Sequence, residues 1–191
     1  MLYIILNMAL TKTPICDFGK KAENFKLKST DNKIISLNEI KGENGTLIMF
    51  ICNHCPYVKA ILKDIVNDTN SLKNDGINAV GIMSNDTKNY PDDSFDKMIE
   101  FSKKNKFNFP YLIDETQEIA KKFGAVCTPD FFGYNKNLEL QYRGRMREMK
   151  DLKPINKGES DLLSAMKLIS KTGAGPKKQI PSMGCNIKWF N

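Results

Sequence analysis

The chain has 191 residues, of which 41% are hydrophobic and 27% are charged, so it is long enough to bury one sizeable core. The net charge is +7, but the basic residues are spread along the whole chain and do not gather with aromatic residues into a recognition stripe. No segment reaches the roughly 20 apolar residues that a membrane helix needs. We therefore expect neither a nucleic acid nor a membrane as a partner.

The first residues, 2–6, are apolar, yet no cationic segment precedes them and they fall short of the usual signal length of about 7 to 15 residues. A start at Met8 instead of Met1, or a short extension, is the favoured interpretation. An ordered extra segment and export are the alternatives. We assign residues 1–17 to an N-terminal extension and expect a cytoplasmic protein.

The first half of the chain predicts a hairpin and then a crossover unit. Residues 25–40 contain two strand-like runs around a polar turn, which is typical of a β-hairpin. Residues 46–51 are a continuous apolar run and predict a buried strand. From Pro56, apolar residues recur at helical spacing up to Asn74-Asp75-Gly76, and residues 77–83 predict a second buried strand. The order strand, helix, strand is that of parallel strands joined by a crossover helix.

The second half of the chain predicts shorter elements of both types. In chain order they are a helix around residues 95–101, a strand at 109–113, a helix at 114–123, an antiparallel hairpin formed by 131–134 and 138–142, a helix at 162–169, and a loop at 173–181.

Two cysteines, Cys52 and Cys55, lie at the predicted switch from strand to helix and are separated by Asn53 and His54. Unpaired N–H groups at a helix start favour a thiolate, so we expect Cys52 to point outward with a depressed pKa, and Cys55 to pack under the first turn. Lowering a thiol pKa from about 8.5 to about 6 raises the thiolate fraction roughly 30-fold near neutral pH. Because nucleophilicity falls at the same time, we expect His54, as an added donor, to tune the redox potential more than the speed.

Two other interpretations of the pair remain open, a zinc site and inert buried thiols. Two cysteines at this spacing supply half of a tetrahedral zinc set, but the sequence holds no second close pair and His54 is its one histidine. Redox chemistry is therefore favoured, and we expect neither a metal nor a cofactor. The five cysteines cannot all pair within one chain, and we regard Cys16 as incidental.

Several segments together resemble the thioredoxin superfamily, and within it the peroxiredoxin-like branch of AhpC/TSA-type redoxins, over residues 18–189. They are Phe50-Ile51-Cys52-Asn53-His54-Cys55-Pro56-Tyr57-Val58, Ser84-Asn85-Asp86 with Tyr90-Pro91, Phe109-Pro110-Tyr111-Leu112, Cys127-Thr128-Pro129-Asp130-Phe131-Phe132 and Tyr142-Arg143-Gly144. The resemblance implies an α/β, thioredoxin-like fold with a central mixed sheet flanked by helices and an added N-terminal β-hairpin. We assign residues 18–172 to this domain and 173–191 to a tail that packs on it.

The resemblance also implies that Thr128-Pro129 is a cis-proline loop that faces the cysteine pair and holds the substrate, with an ordinary trans turn as the alternative. In typical peroxiredoxins the peroxidatic cysteine aligns with Cys55. The place of their Thr or Ser is filled by Cys52, and that of their proline by Ile48. The peroxide-binding constellation is therefore absent, and we expect Arg143 to be structural or exposed.

Three further groups have two interpretations each. Cys127, which precedes Thr128, and Cys185, in the tail, are either buried packing residues or auxiliary redox thiols, and packing is favoured for both. Ser84-Asn85-Asp86 follows a predicted strand and either lines the substrate groove or caps a turn, which we favour.

These observations predict a thiol/disulfide oxidoreductase in which Cys52 is the nucleophile and Cys55 the resolving thiol. Its partners would be a protein or small-molecule disulfide and a reductant of the thioredoxin or glutathione type. The alternatives are a thiol-dependent peroxidase with an antioxidant role and a Cu(I)- or zinc-binding chaperone or sensor.

Overall fold

The computed structural model describes residues 9–14 and 17–190. The expectations about the starting methionine and about Cys16 fall outside these residues. The described part of the chain contains five helices: α1 (Leu37–Ile40), α2 (Pro56–Leu72), α3 (Phe95–Lys104), α4 (Glu118–Phe123) and α5 (Asp161–Thr172). Single 3₁₀ turns occupy Lys73–Asp75 and Pro91–Asp93. None of the helices in the described residues is both long and apolar enough to cross a lipid bilayer.

The described residues form strands in three sheets. The strands are β1 (Leu10–Lys12), β2 (Lys26–Ser29), β3 (Ile34–Ser36), β4 (Gly45–Phe50), β5 (Ile77–Met83), β6 (Tyr111–Ile113), β7 (Cys127–Thr128), β8 (Asp130–Asn135), β9 (Leu140–Tyr142), β10 (Met149–Lys150), β11 (Lys153–Pro154) and β12 (Met183–Asn186).

The main sheet has seven strands in the order β3-β2-β6-β5-β4-β8-β9. Strand β5 pairs in parallel with both β4 and β6, and the other pairings are antiparallel. The mixed sheet, the N-terminal hairpin β2–β3 and the crossover from β4 through α2 to β5 confirm the predicted fold class. The predicted strand at 46–51 is shifted by one residue, since β4 runs from Gly45 to Phe50.

The side chains of β4 alternate between two core layers because successive residues of a strand face opposite sides of the sheet. Leu47 and Met49 pack in one layer, which also holds the buried residues of α2, α3 and α5. Ile48 and Phe50 pack in the other, with the buried residues of α1 and α4. Both faces of the strand are covered, which explains its unbroken apolar sequence.

Helix α2 begins directly after the cysteine pair. Cys55 is its N-cap and Pro56 occupies the first helical position, where a missing N–H costs nothing. After α2 and the short 3₁₀ turn, Gly76 adopts a φ of 71°, a left-handed conformation that glycine takes without strain. The helix therefore starts and stops where the sequence predicted.

A second, three-stranded sheet has the order β1-β12-β7. Strand β12, from the C-terminal tail, lies antiparallel to both neighbours and places Cys185 opposite Thr128. This pairing brings the tail to the residue that precedes Pro129. The division of the chain into 1–17, 18–172 and 173–191 stays a prediction.

Candidate active site

Cys52 and Cys55 lie in the short connection between β4 and α2, and both side chains are buried, with 1% and 0% exposure. The expectation that Cys52 points outward is therefore wrong. The connection turns back under Thr128, so that both thiols face the protein interior. Neither is in a disulfide, and the same holds for the other described cysteines, Cys127 and Cys185.

Three sulfur atoms surround Thr128. The Sγ atom of Cys52 lies 3.4 Å from the Thr128 hydroxyl oxygen. The Sγ atom of Cys55 lies 3.1 Å from the carbonyl oxygen of Thr128 and 3.2 Å from Sγ of Cys185. Cys185 is therefore a member of the site, although the sequence favoured packing as its role.

The surroundings favour a negative charge on Cys55 rather than on Cys52. Hydrogen bonds from the thiols of Cys185 and Cys52 lower the pKa of Cys55, and the N–H of Val58 at the start of α2 acts in the same direction. Burial raises the pKa of Cys52 well above its usual value, and the hydrogen bond to Cys55 and the charge of Asp93 add to the effect. The predicted depression of the Cys52 pKa is thus wrong, chiefly because the Cys52 thiol is buried.

The loop between the two cysteines is held by Asp93, a fully buried carboxylate that the sequence analysis did not single out. One of its oxygens accepts the backbone N–H groups of Asn53 and His54, at 2.8 and 3.3 Å. The other lies 2.6 Å from Nδ1 of His54 and accepts from the side chain of Asn85 at 2.8 Å. The one feature of the sequence that pointed to Asp93 as part of the site was its position just after Tyr90-Pro91, 40 residues after Asn53.

His54 is therefore committed to Asp93 through Nδ1, and its ring stacks on Tyr90 with centroids 5.7 Å apart. Its side chain keeps 16% exposure. One potential ligand atom from each of Cys52, His54 and Asp93 lies within 4.8 Å of the others. This arrangement can relay a proton between a thiol and a carboxylate-bound imidazole, and it has the donor types of a metal site.

The Thr128–Pro129 peptide bond is cis, as the resemblance implied. A groove of about 420 Å³ runs beside Pro129 and is lined by apolar side chains, such as Tyr57 and Met146, and by charged ones, such as Arg145 and Arg147. The sequence placed substrate binding at Thr128 and Pro129. The groove is an adjacent space for a substrate, and the assignment itself stays a prediction.

Cys127 and Arg143 lie apart from the redox loop. The Sγ atom of Cys127 contacts the carbonyl oxygen of Pro129 at 3.5 Å, and burial raises the pKa of this thiol. Arg143 is buried, forms a 2.9 Å ion pair with Asp130 and donates to the carbonyl of Gly124. Arg143 therefore has the structural role expected from the sequence.

The segment Ser84-Asn85-Asp86 supports the loops around the site. Ser84 donates to Asp114, and Asp86 accepts from the backbone N–H groups of Lys88 and Asn89. Asp86 thus caps a turn, which was the favoured interpretation, whereas Asn85 takes part in the site by its bond to Asp93.

The family model for the AhpC/TSA family matches residues 18–149. The chain belongs to the AhpC/TSA family. Its similarity to chloroplastic peroxiredoxin Q of Oryza sativa subsp. japonica is 26% identity over 115 residues, which are 60% of this chain and 48% of that protein. The chain thus spans about half the length of the curated relatives it matches.

Solved structures extend the likeness of this AhpC/TSA protein to almost its whole length. An uncharacterized conserved protein from Geobacillus kaustophilus is 37% identical, with a TM-score of 0.88 over 97% of this chain and 98% of that one. The thioredoxin domain of a thiol-disulfide oxidoreductase from Bacteroides vulgatus is 14% identical, with a TM-score of 0.58 over 68% and 89% of the two chains. The second likeness shows a thioredoxin-like fold. Family membership supports thiol-based oxidoreductase chemistry in general.

Proposed function

We propose that this protein is a thiol/disulfide oxidoreductase whose redox pair is Cys52 and Cys55. The observation that carries the proposal is the position of Cys55. Its sulfur lies at the N-terminus of α2, shares hydrogen bonds with neighbouring thiols and with the Val58 N–H, and faces the cis-proline loop. A thiolate stabilised in this way is a good leaving group.

In the proposed reaction, a thiolate of a dithiol substrate attacks Sγ of Cys52 in the Cys52–Cys55 disulfide. A mixed disulfide forms on Cys52, and Cys55 leaves with the electron pair as the stabilised thiolate. The second substrate thiolate then attacks the substrate sulfur of the mixed disulfide. The substrate becomes a disulfide and Cys52 leaves as a thiolate, so the pair ends two electrons reduced.

The raised pKa of Cys52 suits its role in these reaction steps, because the departing Cys52 thiolate takes up a proton readily. We propose His54 as the group that delivers it, held in place by Asp93 at 2.6 Å. In the reverse direction the same imidazole removes the proton from Cys52 before it attacks a substrate disulfide. Because the stability of the Cys55 thiolate favours the reduced pair, the oxidised pair acts as an oxidant of dithiols.

The partners we propose are a protein or small-molecule disulfide or dithiol and a thiol system of the thioredoxin or glutathione type, with the cytoplasm as the compartment. The groove beside Pro129 supports an extended substrate that contacts the cis-proline loop. No cofactor is required by the steps above.

The test is trapping of the mixed disulfide. A Cys55→Ser variant, incubated with glutathione disulfide, should hold glutathione on Cys52, as determined by peptide mass mapping, because the resolving thiolate is gone. Cys127→Ser is the matched control and should not accumulate the adduct. If the glutathione adduct accumulated only in Cys52→Ser, on Cys55, the roles of nucleophile and resolving thiol would be the reverse of those proposed.

A peroxidase is the second candidate, and it is favoured by the lowered pKa of Cys55 in an AhpC/TSA protein. Here Cys55 would attack a peroxide oxygen, the O–O bond would break with loss of water or alcohol, and the sulfenic acid would condense with a neighbouring thiol. Arg143 is engaged by Asp130 and does not complete a peroxide site. Rates measured on one reduced sample with hydrogen peroxide and with a model disulfide separate the two activities.

Binding of Cu(I) or zinc is the third candidate, favoured by the closeness of Cys52, His54 and Asp93. Against it, each oxygen of Asp93 already has two hydrogen-bond donors. Stoichiometric metal in protein purified without added metal, lost in Cys52→Ser, would favour this candidate over the redox pair.

A further inference from the structure

Cys185 reaches the redox pair from the far end of the chain. Its strand, β12, is paired with β7, so that Cys185 lies opposite Thr128 in the ladder. Its sulfur is 3.2 Å from that of Cys55, and a disulfide bond is about 2.05 Å long, so the two atoms need to approach by only about 1.1 Å. Both side chains are buried, so protein atoms surround this contact.

Cys55 lies in contact with both Cys52 and Cys185. The pKa of Cys55 responds to hydrogen bonds from Cys185 and from Cys52, whereas that of Cys185 responds to Cys55, with a smaller influence of Cys127. Cys127, in the strand next to β12, has the carbonyl oxygen of Pro129 as its contact. The sulfurs are therefore arranged with Cys55 between two candidate partners.

We infer that Cys185 is a third redox thiol, which exchanges with the Cys52–Cys55 disulfide through Cys55. The Cys185 thiolate attacks Sγ of Cys55, the Cys55–Cys185 bond forms as the Cys52–Cys55 bond breaks, and Cys52 leaves with the electron pair. The proton lost by Cys185 is balanced by the one that Cys52 takes up, so no external oxidant is needed. The inference rests on the proposed function, since that reaction supplies the first disulfide.

The ionisation of Cys185 depends on the oxidation state of the Cys52–Cys55 pair. The contact with Cys55 is the main cause that raises the pKa of Cys185, while the charge of Lys188 acts in the opposite direction. Once Cys55 is held in a disulfide it carries no negative charge, and that obstacle to ionising Cys185 is gone. The Cys185 thiol thus ionises more easily when the pair is oxidised, although its burial still opposes ionisation, and the exchange releases Cys52.

The test uses the full chain with glutathione disulfide as the probe, followed by rapid alkylation and mass mapping of the disulfides. Wild type should contain both the Cys52–Cys55 and the Cys55–Cys185 disulfide. In Cys52→Ser, glutathione first attaches to Cys55 and is then displaced by Cys185, which leaves an internal Cys55–Cys185 disulfide. In Cys52→Ser/Cys185→Ser, the glutathione adduct on Cys55 should live at least about tenfold longer, because the intramolecular attack is lost.

The matched control is Cys52→Ser/Cys127→Ser, which should behave as Cys52→Ser does. The inference is overturned if the Cys55–Cys185 disulfide is absent from both wild type and Cys52→Ser while Cys185 stays open to alkylation after unfolding. That result leaves the proposed function intact if wild type still forms Cys52–Cys55. If wild type forms Cys55–Cys185 and never Cys52–Cys55, the proposed pair fails instead.

Discussion

Asp93 is the residue on which the geometry of the redox loop depends. It has no exposure to solvent, yet it accepts two backbone and two side-chain hydrogen bonds, three of them from Asn53 and His54. A buried carboxylate is tolerated only when such donors surround it. Its charge also opposes ionisation of Cys52, so one side chain both orients the imidazole and keeps the neighbouring thiol protonated.

Replacement of Asp93 by Asn should separate these two effects. Loss of the charge should lower the pKa of Cys52, and alkylation of Cys52 in a Cys55→Ser background should begin at lower pH. The new amide would face the donor of Asn85, so stability should fall by about 1–3 kcal/mol. The exposed neighbour Asp92→Asn is the control. An unchanged alkylation profile in a folded Asp93→Asn protein would contradict the electrostatic role.

The lowered pKa of Cys55 also predicts how stability depends on pH. Below the unfolded thiol pKa of about 8.5, the unfolded chain binds a proton at this residue that the folded chain does not. The contribution of Cys55 is therefore complete above about 8.5 and is lost as pH falls towards the lowered folded pKa, by up to about 1.4 kcal/mol per pH unit.

Urea unfolding of the reduced protein between about pH 5.5 and 8.5 measures this effect. Wild type should gain stability with rising pH relative to Cys55→Ser, in which no thiol titrates at this position. Cys127→Ser serves as the control and should keep the wild-type slope, since burial raises the pKa of Cys127 and both states bind its proton in this range. Parallel curves for wild type and Cys55→Ser would mean that Cys55 is protonated in the folded protein.

At the scale of elements, the position of strand β12 determines whether Cys185 lies close to the redox pair. It lies between β1 and β7, and it approaches β7 so closely that a Cβ atom at Gly184 would lie 2.1 Å from the carbonyl oxygen of Thr128. Such a distance cannot be relieved by rotation of a side chain, because the atom in the way is backbone. Only glycine lets the two strands come together here.

Gly184→Ala should therefore push β12 away from β7. We expect a loss of stability of at least about 1–3 kcal/mol and a separation of Cys185 from Cys55, because strain at a close approach is relieved by backbone shifts. Thermal unfolding and the yield of the Cys55–Cys185 disulfide measure the two consequences. Gly158→Ala, at a position where an added Cβ meets nothing within 4 Å, is the control and should leave both values near wild type.

At the scale of the whole molecule, a sheet with both faces covered carries the site at one end of its central strands. Behind it, the Arg143–Asp130 ion pair joins β8 to the end of α4, through the carbonyl of Gly124. The guanidinium also lies 4.4 Å from the centroid of the Phe132 ring. The pair thus ties the strand that follows Pro129 to the core.

Arg143→Met should cost about 3–5 kcal/mol of folding stability, because it leaves the Asp130 carboxylate buried without its partner. The rate with a model disulfide, measured on protein that is still folded, should change little. Lys136→Met, at an exposed position, controls for loss of a positive charge. A large loss of peroxide reactivity with unchanged stability would instead make Arg143 a catalytic residue.

The sequence predicted the elements whose signals are local. The apolar run before Cys52, the helical spacing after Pro56 and the turn around residue 76 identified β4, α2 and its end. The pKa of Cys52 was predicted wrongly from an equally local argument, because burial of the thiol, which no local pattern shows, raises that pKa more than any other cause.

The part of the site that the sequence missed, Asp93, and the part for which it favoured packing, Cys185, come from distant segments. Asp93 meets the redox loop across 40 residues of sequence, and Cys185 meets Cys55 across 130. Neither has a pattern of its own, since a polar loop and a short four-residue strand fit many positions in a fold. The packing of the tail strand against β7 brings Cys185 to the site, and the 3₁₀ turn at Pro91–Asp93 brings Asp93 to it.

Thr128 links the redox pair to the small sheet. It contacts the sulfurs of both Cys52 and Cys55, and it is the strand-pairing partner of Cys185. Formation of a disulfide changes the contacts of those sulfurs with its hydroxyl and carbonyl, so we expect the small sheet of β1, β12 and β7 to respond to oxidation. The exchange rates of the backbone amides of Met183–Asn186 should therefore report the oxidation state of the cysteine pair. Their exchange with deuterium should differ between the dithiol and disulfide forms, while that of β4 and β5 stays the same.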